Sequence, residues 1–148
     1  MENQLECRAL RRIDIDLVQS FIESTLDGSE DIFLLWKSSF REESLKIYLE
    51  EQWCFGCFKE ESLVGVVLQK PLLFWSGLTQ VLWVEDLKAS SLEAEAVLLE
   101  TSYKTSREKH LQALAFSEAR EWSGLLEKLG LKKEVGQHRL MVKTAKWS

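Results

Sequence analysis

Two acidic side chains, Glu85 and Asp86, close an apolar run, and two serines, Ser90 and Ser91, follow shortly after. A carboxylate at a strand exit can accept a proton, and strand alternation sends Glu85 and Asp86 to opposite faces. Serines ahead of a helix either cap it or present an anion with N–H and hydroxyl donors. Cys54-Phe-Gly-Cys57 has a spacing used in redox and zinc sites, yet no second pair accompanies it and His110 and His138 are the only imidazoles. On a strand an offset of three sends the two thiols to opposite faces unless Gly56 makes a bulge, so the pattern reads as free thiols with no metal site. Tyr103 is spaced with Leu92, Ala96 and Leu99, which reads as core packing, and no Ser-His-Asp spacing, Walker loop or di-histidine helix occurs. Trp53, Trp75 and Trp83 suit either an aromatic wall for a ligand or an aromatic core.

The element that positions these groups is Thr79–Lys109. Thr79–Leu87 is nearly continuous apolar sequence rich in β-branched and aromatic residues, which predicts a strand buried on both faces at the centre of a sheet. Lys88–Ser91 reads as a tight turn. Leu92, Ala96, Leu99 and Tyr103 then recur at helical spacing, with Ser90 or Ser91 as N-cap and Glu93 and Glu95 in the first turn. Upstream, Leu5–Leu10 predicts a first strand. Asp14 or Asp16 caps a helix striped by Leu17, Val18, Phe21 and Ile22, and Glu30–Gln52 carries two helical stripes divided near Ser38-Ser39. Trp53–Lys59 and Leu63–Pro71 predict strands joined by a loop at Glu60–Ser62, with Pro71 at a strand end or bulge. Trp75–Leu78 is a second hairpin turn. Downstream, Leu111–Phe116 reads as a strand parallel to Thr79–Leu87, because a helix separates them. Glu118–Leu129 reads as a helix, Val135-Gly136 and His138–Lys143 as closing strands, and Lys146–Ser148 as a tail.

The 148 residues, 45% hydrophobic and 29% charged, suit one soluble domain spanning 1–148. A net charge of −5 and a sequence pI near 5.2 argue against nucleic acid or an anionic membrane surface as partner. No stretch is long and apolar enough to span a bilayer, and the polar start lacks the plan of a signal peptide. Three cysteines, an odd number, suit free thiols in the cytoplasm. Trp147, with Lys146, suits either packing on a neighbouring subunit, as in a homodimer, or a disordered tail, and the sequence does not choose between them.

The order of elements resembles the GNAT N-acetyltransferase superfamily over nearly the whole chain. Leu5–Leu17 is similar to that family's opening strand and Asp-led first helix, and Phe58–Val67 to its hairpin, in which a Val-Gly pair starts the third strand. Leu125–Leu131, Leu-Leu-Glu-Lys-Leu-Gly-Leu, is similar to the usual Leu-Tyr-Glu-Lys-Leu-Gly-Phe ending. The resemblance implies a mixed α/β (α+β) fold with a mainly antiparallel central sheet of six to seven strands and helices on both faces. It implies acetyl-CoA or another acyl-CoA as cofactor, held at Leu87, Lys88, Ala89, Ser90 and Ser91, with Glu85 as catalytic base toward a small-molecule or protein amine. Where the family writes an Arg/Gln-x-x-Gly-x-Gly/Ala loop, this chain has Lys88-Ala-Ser-Ser-Leu92, with no glycine and with Glu85, Asp86, Glu93 and Glu95 around it. The family's proton-donating tyrosine falls on Leu126, and the asparagine that often opens the same helix falls on Ala119. These departures carry a second expectation, a non-catalytic binding or protein-interaction domain of the same fold with a degenerate cofactor site.

Overall fold

A computed structural model describes residues 4–25, 39–75, 77–116, 133–135 and 140–143. In chain order the elements are β1 (Leu5–Ala9), a 3-10 turn (Arg12–Asp14), α1 (Ile15–Thr25), α2 (Ser39–Glu50), β2 (Phe55–Lys59), β3 (Ser62–Phe74), β4 (Thr79–Ala89), α3 (Leu92–Glu108), β5 (Ala113–Phe116), β6 (Lys133–Val135) and β7 (Leu140–Lys143). The strands form one seven-stranded sheet in the order β1-β2-β3-β4-β5-β7-β6. β1–β2, β2–β3, β5–β7 and β6–β7 pair antiparallel. β3 and β4 are neighbours joined by a connection too short for anything but an antiparallel hairpin. β4 and β5 pair parallel, Val81 to Ala113 through Val84 to Phe116, as the intervening helix requires. The helix expected over Glu118–Leu129, and with it Ala119 and Leu126, lies outside the described residues, as do Phe33, Trp36, His138 and Trp147.

The chain divides into two compact units, Met1–Leu68 with Leu87–Leu98, and Gln69–Asp86 with Leu99–Ser148. The first has a core of Leu10, Val18, Ile22, Leu45, Leu49, Cys54, Leu63, Val66 and Leu68. Here α1 buries Val18 and Ile22, while Leu17, expected in its stripe, is 40% exposed. Asp14 lies in the 3-10 turn ahead of α1, where it accepts the Arg11 N–H at 2.8 Å and both Arg8 guanidinium nitrogens at 3.1 Å. The β2–β3 connection is tighter than expected. Ser62 belongs to β3, and Glu60 (φ 51°) and Glu61 (φ 73°) form a two-residue loop with both residues left-handed, the conformation of a type I′ turn.

In the second unit, Val81, Ala113 and Ala115 pack with Leu72, Phe74 and Trp83. β3 runs through Pro71 to Phe74, so the proline sits inside the strand and not at its end. Fully buried Gln69 accepts a 2.6 Å hydrogen bond from the hydroxyl of fully buried Ser102. α3 ends on a Schellman motif: His110 (φ 58°) donates to the Arg107 carbonyl and Leu111 to that of Ser106. His110 is thus a helix cap, exposed and left-handed. Among the described residues no cluster of His, Cys, Asp and Glu could hold a metal ion, and no helix is long and apolar enough to cross a membrane.

The buried face of α3 differs from the expected stripe. Ala94, Leu98, Leu99, Ser102 and Ser106 are buried, whereas Leu92 is 69% exposed and Tyr103 half-buried. Ala94, Leu98, Ser102 and Ser106 recur every four residues, so they share one face. Two of them are serines, which an apolar count passes over. Small side chains also permit close approach at Gly65 of β3, where an added Cβ would stand 2.7 Å from Leu98 Cδ1.

Candidate active site

The strand that carries the candidate site residues runs further than its composition suggests. Lys88 and Ala89, expected in the turn, are the last residues of β4, leaving only Ser90 and Ser91 between strand and helix. The reason is non-local. The Ser90 N–H donates to the Val64 carbonyl at 2.9 Å, and this bond to β3 holds the chain extended past Leu87. The Ser90 hydroxyl donates to the same carbonyl at 3.2 Å.

Ser91 is the N-cap. Its hydroxyl accepts the Ala94 N–H at 3.1 Å, and its carbonyl accepts the Glu95 N–H at 3.1 Å to start the helix. Of the N–H groups that open the helix, Ala94's is taken by the cap, and among the described residues no hydrogen bond from the Leu92 or Glu93 N–H is seen, so these two stand at the positive end of the helix dipole. Glu93 and Glu95 lie in that same turn and offset the dipole. Both serine hydroxyls therefore have intramolecular roles, and so does the Ser90 amide. The expected cofactor-holding stretch Leu87–Ser91 is well defined, with Leu87 buried, Lys88 and Ala89 half-buried and Ser90 and Ser91 exposed. What it offers a ligand is main chain and the start of a helix, not a glycine-rich cradle.

Glu85 lies earlier on β4 and is exposed. The Trp83 indole N–H donates to Glu85 Oε2 at 3.0 Å, and the Trp83 ring meets Phe74 edge-on at 6.0 Å and 71°. Residues two apart on a strand share a face, so the sequence held the signal for this pair, although the tryptophan reads first as core or wall. The indole fixes one carboxylate oxygen and holds the side chain in one orientation. Asp86 is half-buried. Tyr103 accepts a hydrogen bond from Arg107 Nη1 at 3.1 Å, with the guanidinium 5.9 Å from its ring centroid, so it belongs to the helix flank.

No protein-family model matches the sequence, and comparison with curated proteins gives no match. Solved structures match strongly in shape. Polyamine N-acetyltransferase of Drosophila melanogaster aligns with a TM-score of 0.68 at 13% identity, over 95% of this chain and 98% of its own. The PaiA N-acetyltransferase of Thermoplasma acidophilum, solved in complex with coenzyme A, aligns at 0.69 and 16%, over 97% and 99%. An agmatine N-acetyltransferase aligns at 0.72 and 11%, over 95% and 98%. The chain has the GNAT N-acetyltransferase fold. Within that fold the departures in Lys88–Leu92 gain a structural meaning. There the Ser90 N–H is tied to the Val64 carbonyl, and the Ser91 hydroxyl and carbonyl are both spent on the start of α3.

Proposed function

We propose that the chain is a divergent acyl-CoA-dependent N-acyltransferase acting on a small amine. The observation that carries this reading is the parallel β4–β5 pair within an otherwise antiparallel GNAT-fold sheet. Relatives in shape named as polyamine and agmatine N-acetyltransferases support an amine as acceptor. Bound acyl-CoA would supply the activated thioester. The β4 main chain at Leu87, Lys88 and Ala89 would hold its amide-bearing arm, and the Leu92 and Glu93 amides its diphosphate. Glu85, oriented by Trp83, takes the proton that the attacking amine must lose. Free thiols at Cys7, Cys54 and Cys57 suit the reducing cytoplasm as its compartment.

The test is isothermal titration with acetyl-CoA, followed by an acetyl-transfer assay against agmatine and linear polyamines. Binding is expected, with transfer that falls at least ~100-fold in Glu85→Gln, the usual worth of a general base. Absence of acetyl-CoA binding at millimolar ligand would overturn it. A second reading, a non-catalytic binding domain of the same fold, is favoured by the engagement of both serines, and it predicts no turnover whatever the amine.

A further inference from the structure

Cys7 and Cys57 stand directly opposite each other on β1 and β2. The ladder fixes which kind of pair they form. The Leu10 N–H donates to the Cys54 carbonyl at 2.7 Å, and Leu10 and Cys54 continue the same register by one step beyond Ala9 and Phe55. They are therefore a hydrogen-bonded pair. Such pairs alternate along an antiparallel ladder, so Arg8 with Gly56 is hydrogen-bonded, and Ala9 with Phe55 and Cys7 with Cys57 are not. Opposed residues of a non-hydrogen-bonded pair lie on one face with Cα atoms about 4.5 Å apart, the short end of the span a disulfide can bridge.

We propose that Cys7 and Cys57 form a reversible cross-strand disulfide when the reduced protein meets a hydroperoxide. Cys7 is half-buried and is the entry thiol, whereas Cys57 is fully buried. In the first step the Cys7 sulfur attacks the peroxide O–O bond, giving a sulfenic acid and releasing the alcohol, or water from hydrogen peroxide. In the second the Cys57 sulfur displaces the sulfenic hydroxyl as water. Two thiols and one hydroperoxide thus give one disulfide, one alcohol and one water, and two equivalents of a small thiol reverse it.

The order of events follows from the surroundings. Burial, with Cys7 and Glu93 nearby, pushes the Cys57 thiol up to about 11, so Cys57 is not the first nucleophile. The influence of Cys7 on it agrees with the two sulfurs being neighbours. Cys54 provides an internal contrast: it is buried in the core with its thiol on the Tyr48 carbonyl at 3.3 Å. A bridge at the short end of the allowed span is strained and hence reducible, which suits a switch better than a staple. Cys57 is also opposite Gly65, which faces Leu98, so the row Cys7–Cys57–Gly65 lies against α3. None of this depends on acyl transfer.

The experiment treats the reduced full-length protein with stoichiometric hydrogen peroxide, then alkylates under denaturing conditions and maps peptides without reduction. The expected result is loss of two of the three alkylatable thiols. A Cys7–Cys57 linked peptide should appear, and dithiothreitol should restore both thiols. Cys54→Ser should retain the link, and Cys57→Ser should trap a dimedone-reactive sulfenic acid on Cys7. A link through Cys54, an intermolecular link, or over-oxidation of Cys7 with Cys57 still reduced would each overturn the proposal. The mapping on the unsubstituted chain decides it even where a variant fails to fold.

Discussion

Gly65→Ala tests the packing that brings α3 against the end of β4. The added methyl would stand 2.7 Å from Leu98 Cδ1 and 3.4 Å from both the Ala89 Cβ and the Lys88 carbonyl oxygen. Carbon atoms in contact sit about 3.5–4.0 Å apart, so the overlap with Leu98 is roughly 1 Å, while the approach to the strand is tight but tolerable. Leu98 is fully buried and cannot swing into solvent. Overpacking of this kind costs about 1–3 kcal/mol. Gly65 does not occupy the left-handed region, so alanine recovers about 0.4–1 kcal/mol by restricting the unfolded chain. The net expectation is a loss of about 1–2 kcal/mol, or a fall in Tm of roughly 3–6 °C for a chain of this size. Thermal melts of Gly65→Ala, Leu98→Val and the double variant close a cycle. The double variant conserves volume, so it should recover about 1 kcal/mol relative to the sum of the singles. A rise in Tm for Gly65→Ala, or strict additivity, would refute the close approach of β3 and α3.

Two further perturbations address other elements. Replacing Glu60-Glu61 by Asn-Gly should raise stability by about 1 kcal/mol, because both loop residues are left-handed and Asn-Gly is favoured there; urea denaturation measures it, and an unchanged midpoint would deny the turn. The Arg8 hydrogen bonds, assisted by the Arg11 N–H, hold the Asp14 carboxyl below its ordinary value, so its contribution is present above the unfolded value of 3.8 and is lost as pH falls through the lower folded one. The gap in urea midpoint between the unsubstituted chain and Asp14→Asn should therefore narrow on acidification below about pH 4, and a gap independent of pH would exclude the ion pair as its source.

The elements that announced themselves in the sequence are those whose burial follows a simple period. Val81–Val84 is apolar without interruption, and Leu45, Tyr48 and Leu49 repeat helically, so their strand and helix could be read directly. The chain order then forced the parallel pairing of β4 with β5. Features set by partners distant in sequence could not be read this way. Ser102 and Ser106 count as polar, yet they occupy the buried face of α3, Ser102 because Gln69 receives its hydroxyl. Lys88 and Ala89 carry turn-like neighbours, yet the Ser90 bond to Val64 keeps them extended. The C-x-x-C spacing drew attention to Cys54 and Cys57, whereas register pairs Cys57 with Cys7, fifty positions away.

That same dependence on partners bears on the proposed cofactor site. A glycine loop leaves its amides available because glycine has no side chain to compete for them and can turn them outward. Serine does the reverse: its hydroxyl seeks the local backbone, and here Ser91 satisfies Ala94 while Ser90 reaches Val64. The dipole at the start of α3 would favour an anion by about 0.3–1 kcal/mol, but Glu93 and Glu95 already occupy that field. Little electrostatic attraction therefore remains for a diphosphate at this turn. With only the Leu92 and Glu93 amides to offer a diphosphate, an acyl donor bound here has to gain most of its affinity from main-chain bonds along β4, so shortening the donor to a pantetheine thioester should weaken binding far less than it would in a glycine-loop acetyltransferase.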